Sequence, residues 1–331
     1  MDAAVSEKTL RRKSLYAAEF LVWAGEQGLQ EIDVLPPSEA TLCNFAASFA
    51  GKLAGGTAKA KLSAVKSWVQ KRGLAWNGRD NLHNTLNGVE RRAPSSSFRE
   101  QRPPMKKEHL SILFDKLNLT GTSGIDHAMA AASTGCFYSQ LRGGEILPFS
   151  SDPNEYNPNS LPTVKDLGPA NENGDRKLRL PKTKVEQTRG EEVIYSPQPG
   201  CTSPTRAWRD HIRVNQLGPN DPLLGYRNNS GELKVLTKSV FLNRCNQIWS
   251  EHGIPRMTGH CFRIGGTTHY FIQGIAPDVM KMLGRWKSDA FLKYWRDLES
   301  LASIHLHRHH AQQSYSNRLQ KSGTRHRYPP H

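Results

Sequence analysis

His260-Cys261-Phe262-Arg263-Ile264-Gly265-Gly266, followed by Leu283-Gly284-Arg285-Trp286 and Tyr294-Trp295-Arg296, is the stretch on which the reading of this chain turns. His260 and Arg263 are three residues apart, so on a helix they share one face and can meet one small anionic group. A phenol follows within about forty residues. With a pKa near 10, only roughly one phenol in a thousand is ionised at neutral pH. A nucleophilic Tyr294 therefore needs cations or a base beside it, which His260 and Arg263 can supply.

These residues resemble the second half of the active site of the tyrosine recombinases, the phage integrase and Cre-like family, whose signature is Arg, Lys, His-x-x-Arg, His/Trp and Tyr. The resemblance spans essentially residues 10 to 300. The family's first arginine stands in a Leu-Arg-x-x-Glu context more than a hundred residues upstream, which Gln140-Leu141-Arg142-Gly143-Gly144-Glu145-Ile146-Leu147 matches at Arg142. Its lysine belongs on a β-hairpin between the clusters. Arg179-Leu180-Pro181-Lys182-Thr183-Lys184 is the corresponding stretch, with Lys184 favoured and Lys182 the alternative. Trp286 stands eight positions before Tyr294 and Arg285 nine, where the Cre-like pattern has nine, so either can fill the His/Trp position. Trp286 is favoured, because an indole N–H can donate to a phosphate oxygen. The wording around Leu283–Phe291 is most similar to recombinases of eukaryotic mobile elements of the Crypton type.

The resemblance implies a mainly α fold with a small β-hairpin or sheet: a helical, SAM-like core-binding domain joined to a tyrosine-recombinase catalytic domain. It implies breaking and rejoining of DNA through a 3′-phosphotyrosyl intermediate on Tyr294, with no cofactor and no metal. Arg142 and Arg263 would stabilise phosphate charge, Lys184 would protonate the leaving 5′ oxygen, and His260 and Trp286 would assist. Glu145 would orient Arg142 or His260. Double-stranded DNA is the implied partner, bound by a homodimer or homotetramer, with no membrane and no small-molecule substrate. For a eukaryotic source the location would be the nucleus, otherwise the cytoplasm on DNA. A domesticated, non-catalytic DNA-binding protein on the same fold and a type IB topoisomerase are the alternatives.

Bulk chemistry agrees with a polyanion as partner. There are 45 Lys and Arg against 30 Asp and Glu, a net charge of +15. The five cysteines are scattered without a C-x-x-C pair, which argues against a disulfide framework or a zinc site and for a reducing compartment. No signal-peptide core or long apolar run is present, so secretion and membrane spanning are not expected.

Four segments follow: a helical domain over 1–93, a basic linker over 94–106, a catalytic domain over 107–305 and a basic, His-rich tail over 306–331. In the first, Ser38 is placed to cap a helix with Leu42, Phe45, Ala46 and Phe49 inward, ending at Gly51. Thr57 opens the next, with Leu62, Val65 and Val69 inward and Gly73 closing. Lys59, Lys66, Lys71, Arg72, Arg91 and Arg92 form the candidate DNA-backbone face. Beyond the linker, Lys107–Leu117 and Ile125–Phe137 read as helices, 150–173 as surface loop, and Lys177–Leu180 with Glu192–Tyr195 as paired strands. Phe241, Cys245, Ile248 and Trp249 read as a core stripe. His260–Gln273 reads as a helix stopped by Gly274, Pro277 starts another that ends at Gly284, and Ser288 with Asp289 opens the one carrying Tyr294. Leu298, Leu301 and Ile304 continue an apolar face past Tyr294, suited to docking within the chain or on a neighbouring protomer.

Overall fold

The computed structural model describes residues 7–98, 102–183 and 186–294, with the side chain of Tyr294 outside that description. Lys184, Leu298, Leu301, Ile304 and the basic tail also lie outside the described residues. The described chain falls into two compact units that meet between Gln101 and Arg102.

The first unit is all helical: α1 (Glu7–Glu26), a single turn α2 (Glu31–Val34), α3 (Glu39–Ala47), α4 (Gly55–Lys71) and α5 (Asp80–Arg91). Ser38 caps α3 by accepting from the Thr41 N–H at 3.1 Å. Leu42, Phe45, Ala46 and Phe49 are buried as their spacing requires. Phe45 is the hub, with Phe20 at 5.0 Å, Trp23 at 5.1 Å and Phe49 at 4.8 Å between ring centroids. Helix α4 starts two residues before Thr57, capped by Ala54 without a side-chain bond. The reason is packing: a Cβ on Gly55 would come within 2.5 Å of Glu90, so only glycine lets α4 begin against α5.

The second unit is built around α7 (Gly124–Tyr138), in which every residue except Ile125 and Asp126 is buried. Around it pack α6 (Lys107–Lys116), a one-turn α8 (Gly143–Ile146), α9 (Pro204–Val214) and α11 (Gly259–Ile272). Helix α10 (Lys238–Ser250) packs on α6, and its stripe Phe241, Cys245, Ile248 and Trp249 is core. Met105, in the stretch read as linker, is buried, and its N–H donates to the Cys261 carbonyl at 3.0 Å. Strands β2 (Arg176–Leu180) and β3 (Glu191–Tyr195) pair antiparallel, Leu180 opposite Glu191.

A third strand, β1 (Leu167–Ala170), pairs with β2 inside the segment expected to be loop only. Its Leu-Gly-Pro-Ala sequence is short and carries a proline, which an edge strand tolerates and a central one does not. A separate hairpin joins β4 (Gly225–Arg227) to β5 (Leu233–Val235). Helix α12 (Pro277–Leu283) has Pro277 in its first turn and Gly284 as its C-cap. The last described element, Asp289–Tyr294, is a 3₁₀ helix rather than an α-helix. The described residues are thus mainly α with small antiparallel sheets, as the sequence implies.

Candidate active site

Two glycines decide how closely the His-x-x-Arg helix approaches its neighbours. A Cβ on Gly265 would lie 1.9 Å from the Met105 carbonyl oxygen, and one on Gly266 would lie 1.8 Å from that of Phe137. With no side chain at either position, α11 seats on the end of α7 and brings Arg263 against the turn that follows it. Arg263 is only 1% exposed, yet its charge is well accommodated. It donates to the Gln140 carbonyl at 2.9 Å and to the Gly284 carbonyl, and its guanidinium stacks 4.4 Å from the centre of the Trp286 ring.

Gln140 makes this geometry possible and was not singled out in the sequence. It adopts a left-handed backbone, φ 55°, which costs energy for a residue with a Cβ and persists only when held. What holds it is a buried side-chain amide that donates to the Phe137 carbonyl at 2.8 Å and accepts from Thr267 at 2.8 Å, one turn along α11 from Arg263. The turn then leads into Arg142, the N-cap of α8.

Arg142 is a quarter exposed and donates to Glu145 Oε1 at 2.8 Å, while its backbone N–H donates to Oε2 at 2.9 Å. Glu145 Oε2 also accepts from Arg285 at 2.7 Å. Burial pushes the Glu145 carboxyl up, but the charge and hydrogen bond of Arg285 and the two bonds from Arg142 outweigh it and hold the pKa below the ordinary carboxylate value. Glu145 therefore orients two arginines, Arg142 and Arg285. Arg285, itself at φ 54° and 8% exposed, reaches Glu191 at 3.3 Å with its other terminal nitrogen. It thereby fastens the start of β3 to the site. The hairpin beyond Leu180 carries exposed Lys182, and its turn depends on Gly190, at φ 73°, where a Cβ would lie 2.2 Å from the Leu180 oxygen.

Of the other expected residues, His260 sits half-buried in the first turn of α11. Trp286 stacks on Phe291 at 5.4 Å and on Arg263, whereas Arg285 is the one of the pair that reaches Glu145. Tyr294 ends the 3₁₀ helix that starts three residues after Trp286. In the first unit, Lys59, Lys66, Lys71, Arg72, Arg91 and Arg92 are all exposed. Lys59 pairs with Glu90 at 2.6 Å, Arg72 stacks on Trp68 at 4.3 Å, and Lys66 lies 6.0 Å from the Trp76 ring centre. Among the described residues no cluster of His, Cys, Asp and Glu suited to a metal is present, and no helix is long and apolar enough to cross a membrane.

Three guanidinium groups, Arg142 from one segment and Arg263 and Arg285 from another more than a hundred residues on, thus converge on one turn, each held from behind by a carbonyl or a carboxylate. Such forks suit the oxygens of a phosphate.

No protein-family model matches this chain, and no curated protein does. Solved structures do. The site-specific recombinase XerH, bound to palindromic difH substrate in a post-cleavage complex, aligns over 90% of this chain and 79% of its own at 16% identity and TM-score 0.55. The Tn1549 transposon integrase, in complex with transposon right end DNA, aligns over 92% and 94% at 15% identity and TM-score 0.50. The chain has the mainly helical fold of the tyrosine recombinases.

Proposed function

We propose that the protein is a tyrosine recombinase, a site-specific integrase that breaks and rejoins double-stranded DNA through a 3′-phosphotyrosyl link. The observation that carries this reading is the Arg142–Glu145–Arg285 chain joined through Gln140 to Arg263. It is a preorganised cationic site on the fold of enzymes that act on DNA. The Tyr294 oxygen attacks the scissile phosphorus, the bond to the 5′ oxygen breaks, and Lys184, with Lys182 as the alternative, gives that oxygen its proton. His260 takes up the phenol proton or donates to the phosphate, and Trp286 supports Arg263 from below. Attack by a 5′-hydroxyl on the phosphotyrosine then restores the diester and frees the phenol, so no energy source or cofactor is consumed.

The net charge of +15 and the exposed cations of the first unit support duplex DNA as partner, with dimers and tetramers forming on it. The Leu283–Phe291 wording supports a Crypton-like mobile element of a eukaryote, acting in the nucleus. A suicide substrate tests the assignment. The parent should form a denaturation-resistant protein–DNA adduct, and Tyr294→Phe should bind equally but form none. Binding without an adduct in the parent would favour a non-catalytic DNA-binding protein on the same fold.

A further inference from the structure

A cation that the catalytic pattern does not name lies between two of its members. Lys238 is the first residue of α10, and its Cε is 3.8 Å from where a Cβ on Gly143 would stand and 3.6 Å from the same point on Gly259. Gly143 directly follows Arg142, and Gly259 directly precedes His260. The lysine chain thus runs past two positions without side chains, each the chain neighbour of a residue expected to bind the scissile phosphate.

Its place is fixed by backbone bonds on both sides. The Lys238 N–H donates to the Pro148 carbonyl at 2.9 Å, tying α10 to the segment after α8. Asn246, two turns along α10, donates to the Met257 carbonyl at 2.9 Å and accepts from the Met257 N–H at 2.7 Å, which fixes the entry to α11. Thr237 caps the start of α10 by accepting from the Val240 N–H at 3.3 Å. Yet Lys238 is exposed, and its ammonium forms no hydrogen bond or ion pair among the described residues. The charges of Glu145, Lys238 and Arg263 all bear on buried Cys136 beneath them, so the three belong to one neighbourhood. The root of this lysine is anchored while its charged head joins no group that holds the fold among the described residues.

We propose that Lys238 is a DNA-binding residue of this site, its ammonium holding a backbone phosphate of the cleaved strand between Arg142 and His260. The inference rests on the recombinase reading for its ligand, but its test does not require cleavage. In the full chain, Lys238→Ala should lower the slope of log affinity against log salt by about 1, and Lys238→Arg should largely restore it. Adduct formation should fall about tenfold or more, with the melting temperature unchanged. Neutral methylphosphonates placed one at a time at the scissile phosphate and its neighbours identify the contact: at one of them, parent and Lys238→Ala should bind alike. An unchanged salt slope, or a binding difference that no methylphosphonate removes, would overturn the proposal. A parent that cleaves normally while Lys238→Ala matches it in slope and rate overturns Lys238 alone. A parent that shows the Lys238-dependent slope but forms no adduct overturns the cleavage reading and leaves Lys238 standing, and a parent that binds no duplex overturns both.

Discussion

Two of the buried polar networks among the described residues of the second unit are finished differently. One surrounds His211 and Asn215 at the end of α9. His211 Nε2 donates to the Leu223 carbonyl at 3.0 Å, and its Nδ1 accepts from the Asn215 amide at 2.9 Å. Asn215 also donates to the Gly124 carbonyl at 3.0 Å and accepts from the Arg227 N–H at 2.8 Å. The buried side chains there are neutral, the one charged contact is the Arg227 Nε donating to the Asn215 carbonyl at 3.1 Å, and the polar atoms of His211 and Asn215 are matched. The other network, around Glu145, holds a single carboxylate between two arginines, leaves the buried Arg285 Nε without a hydrogen-bond partner and keeps Arg142 a quarter exposed. Polar groups that only join elements tend to be satisfied, because an unmatched buried donor costs about 1–3 kcal/mol. Donors left over beside an opening are what a site for an anion requires.

The largest effect should come from removing the carboxylate that the two arginines of the charged network share. Glu145→Gln leaves Arg142 without its carboxylate and nearly buried Arg285 with only the longer pair to Glu191, and losing one partner of a buried pair costs about 3–5 kcal/mol. The pH dependence has a definite sign. Because the folded carboxyl is held below 4.5, its contribution is complete above that value and is lost as pH falls through the lowered one. Denaturant titrations should therefore show an acid limb in the parent that flattens in Glu145→Gln. A variant of parental stability at pH 7 would mean that the arginines do not depend on Glu145.

Next in size is the loss of an arginine that the fold does not need. Arg142→Ala removes a partly exposed group whose side chain bonds only Glu145 among the described residues, so stability should change little while single-turnover cleavage falls by about a hundredfold to a thousandfold. Arg142→Lys should restore only part, since a point charge lacks the planar fork. Wild-type cleavage by Arg142→Ala would remove the distinction between the two networks.

How much of this was legible in the sequence follows the same division. Local signals survived: the Ser38 cap, the stripes Leu62–Val69 and Phe241–Trp249, the β2–β3 hairpin and the helix from His260 each depend on residues a few positions apart. The Arg142 and His260–Arg263 pattern was legible too, though only as a pattern. Gln140 was not, because its role rests on a left-handed backbone and on Thr267, 127 residues away. Arg285 looked like an alternative to Trp286, and nothing local reveals that it reaches a carboxylate 140 residues upstream. Strand β1 was hidden by its Gly-Pro pair, which alone reads as a turn.

The neutral network can be broken by protonation. Burial lowers the His211 pKa from 6.5 to about 4, and a proton on Nδ1 would face the Asn215 amide donor. The unfolded chain takes up this proton first as pH falls, so stability should decline from about pH 6.5 and level off below about 4, by on the order of 3 kcal/mol. In His211→Gln that decline should be clearly smaller between pH 6.5 and 5, the remainder coming from His109 and His269, which burial also lowers, and the window lies above the one in which Glu145 acts. A parent whose stability is flat over that range would show that His211 is not held neutral.

The smallest effect separates the two roles open to Trp286. Its ring supports the Arg263 guanidinium at 4.4 Å and stacks on Phe291, and a phenyl ring can do most of both. A cation–π contact is worth about 0.5–2 kcal/mol and is strongest for Trp, so Trp286→Phe should cost under about 1 kcal/mol of stability. If support of Arg263 is the main role, cleavage should fall no more than about tenfold, in step with that loss. A cleavage defect of a hundredfold at parental stability would instead assign the indole N–H to the phosphate. Arg285→Ala should then be compared directly, because it removes a group that bonds Glu145 and Glu191 and should lose stability as well as rate. The ratio of rate loss to stability loss in the two variants decides which of these neighbours faces the DNA and which braces the site from within.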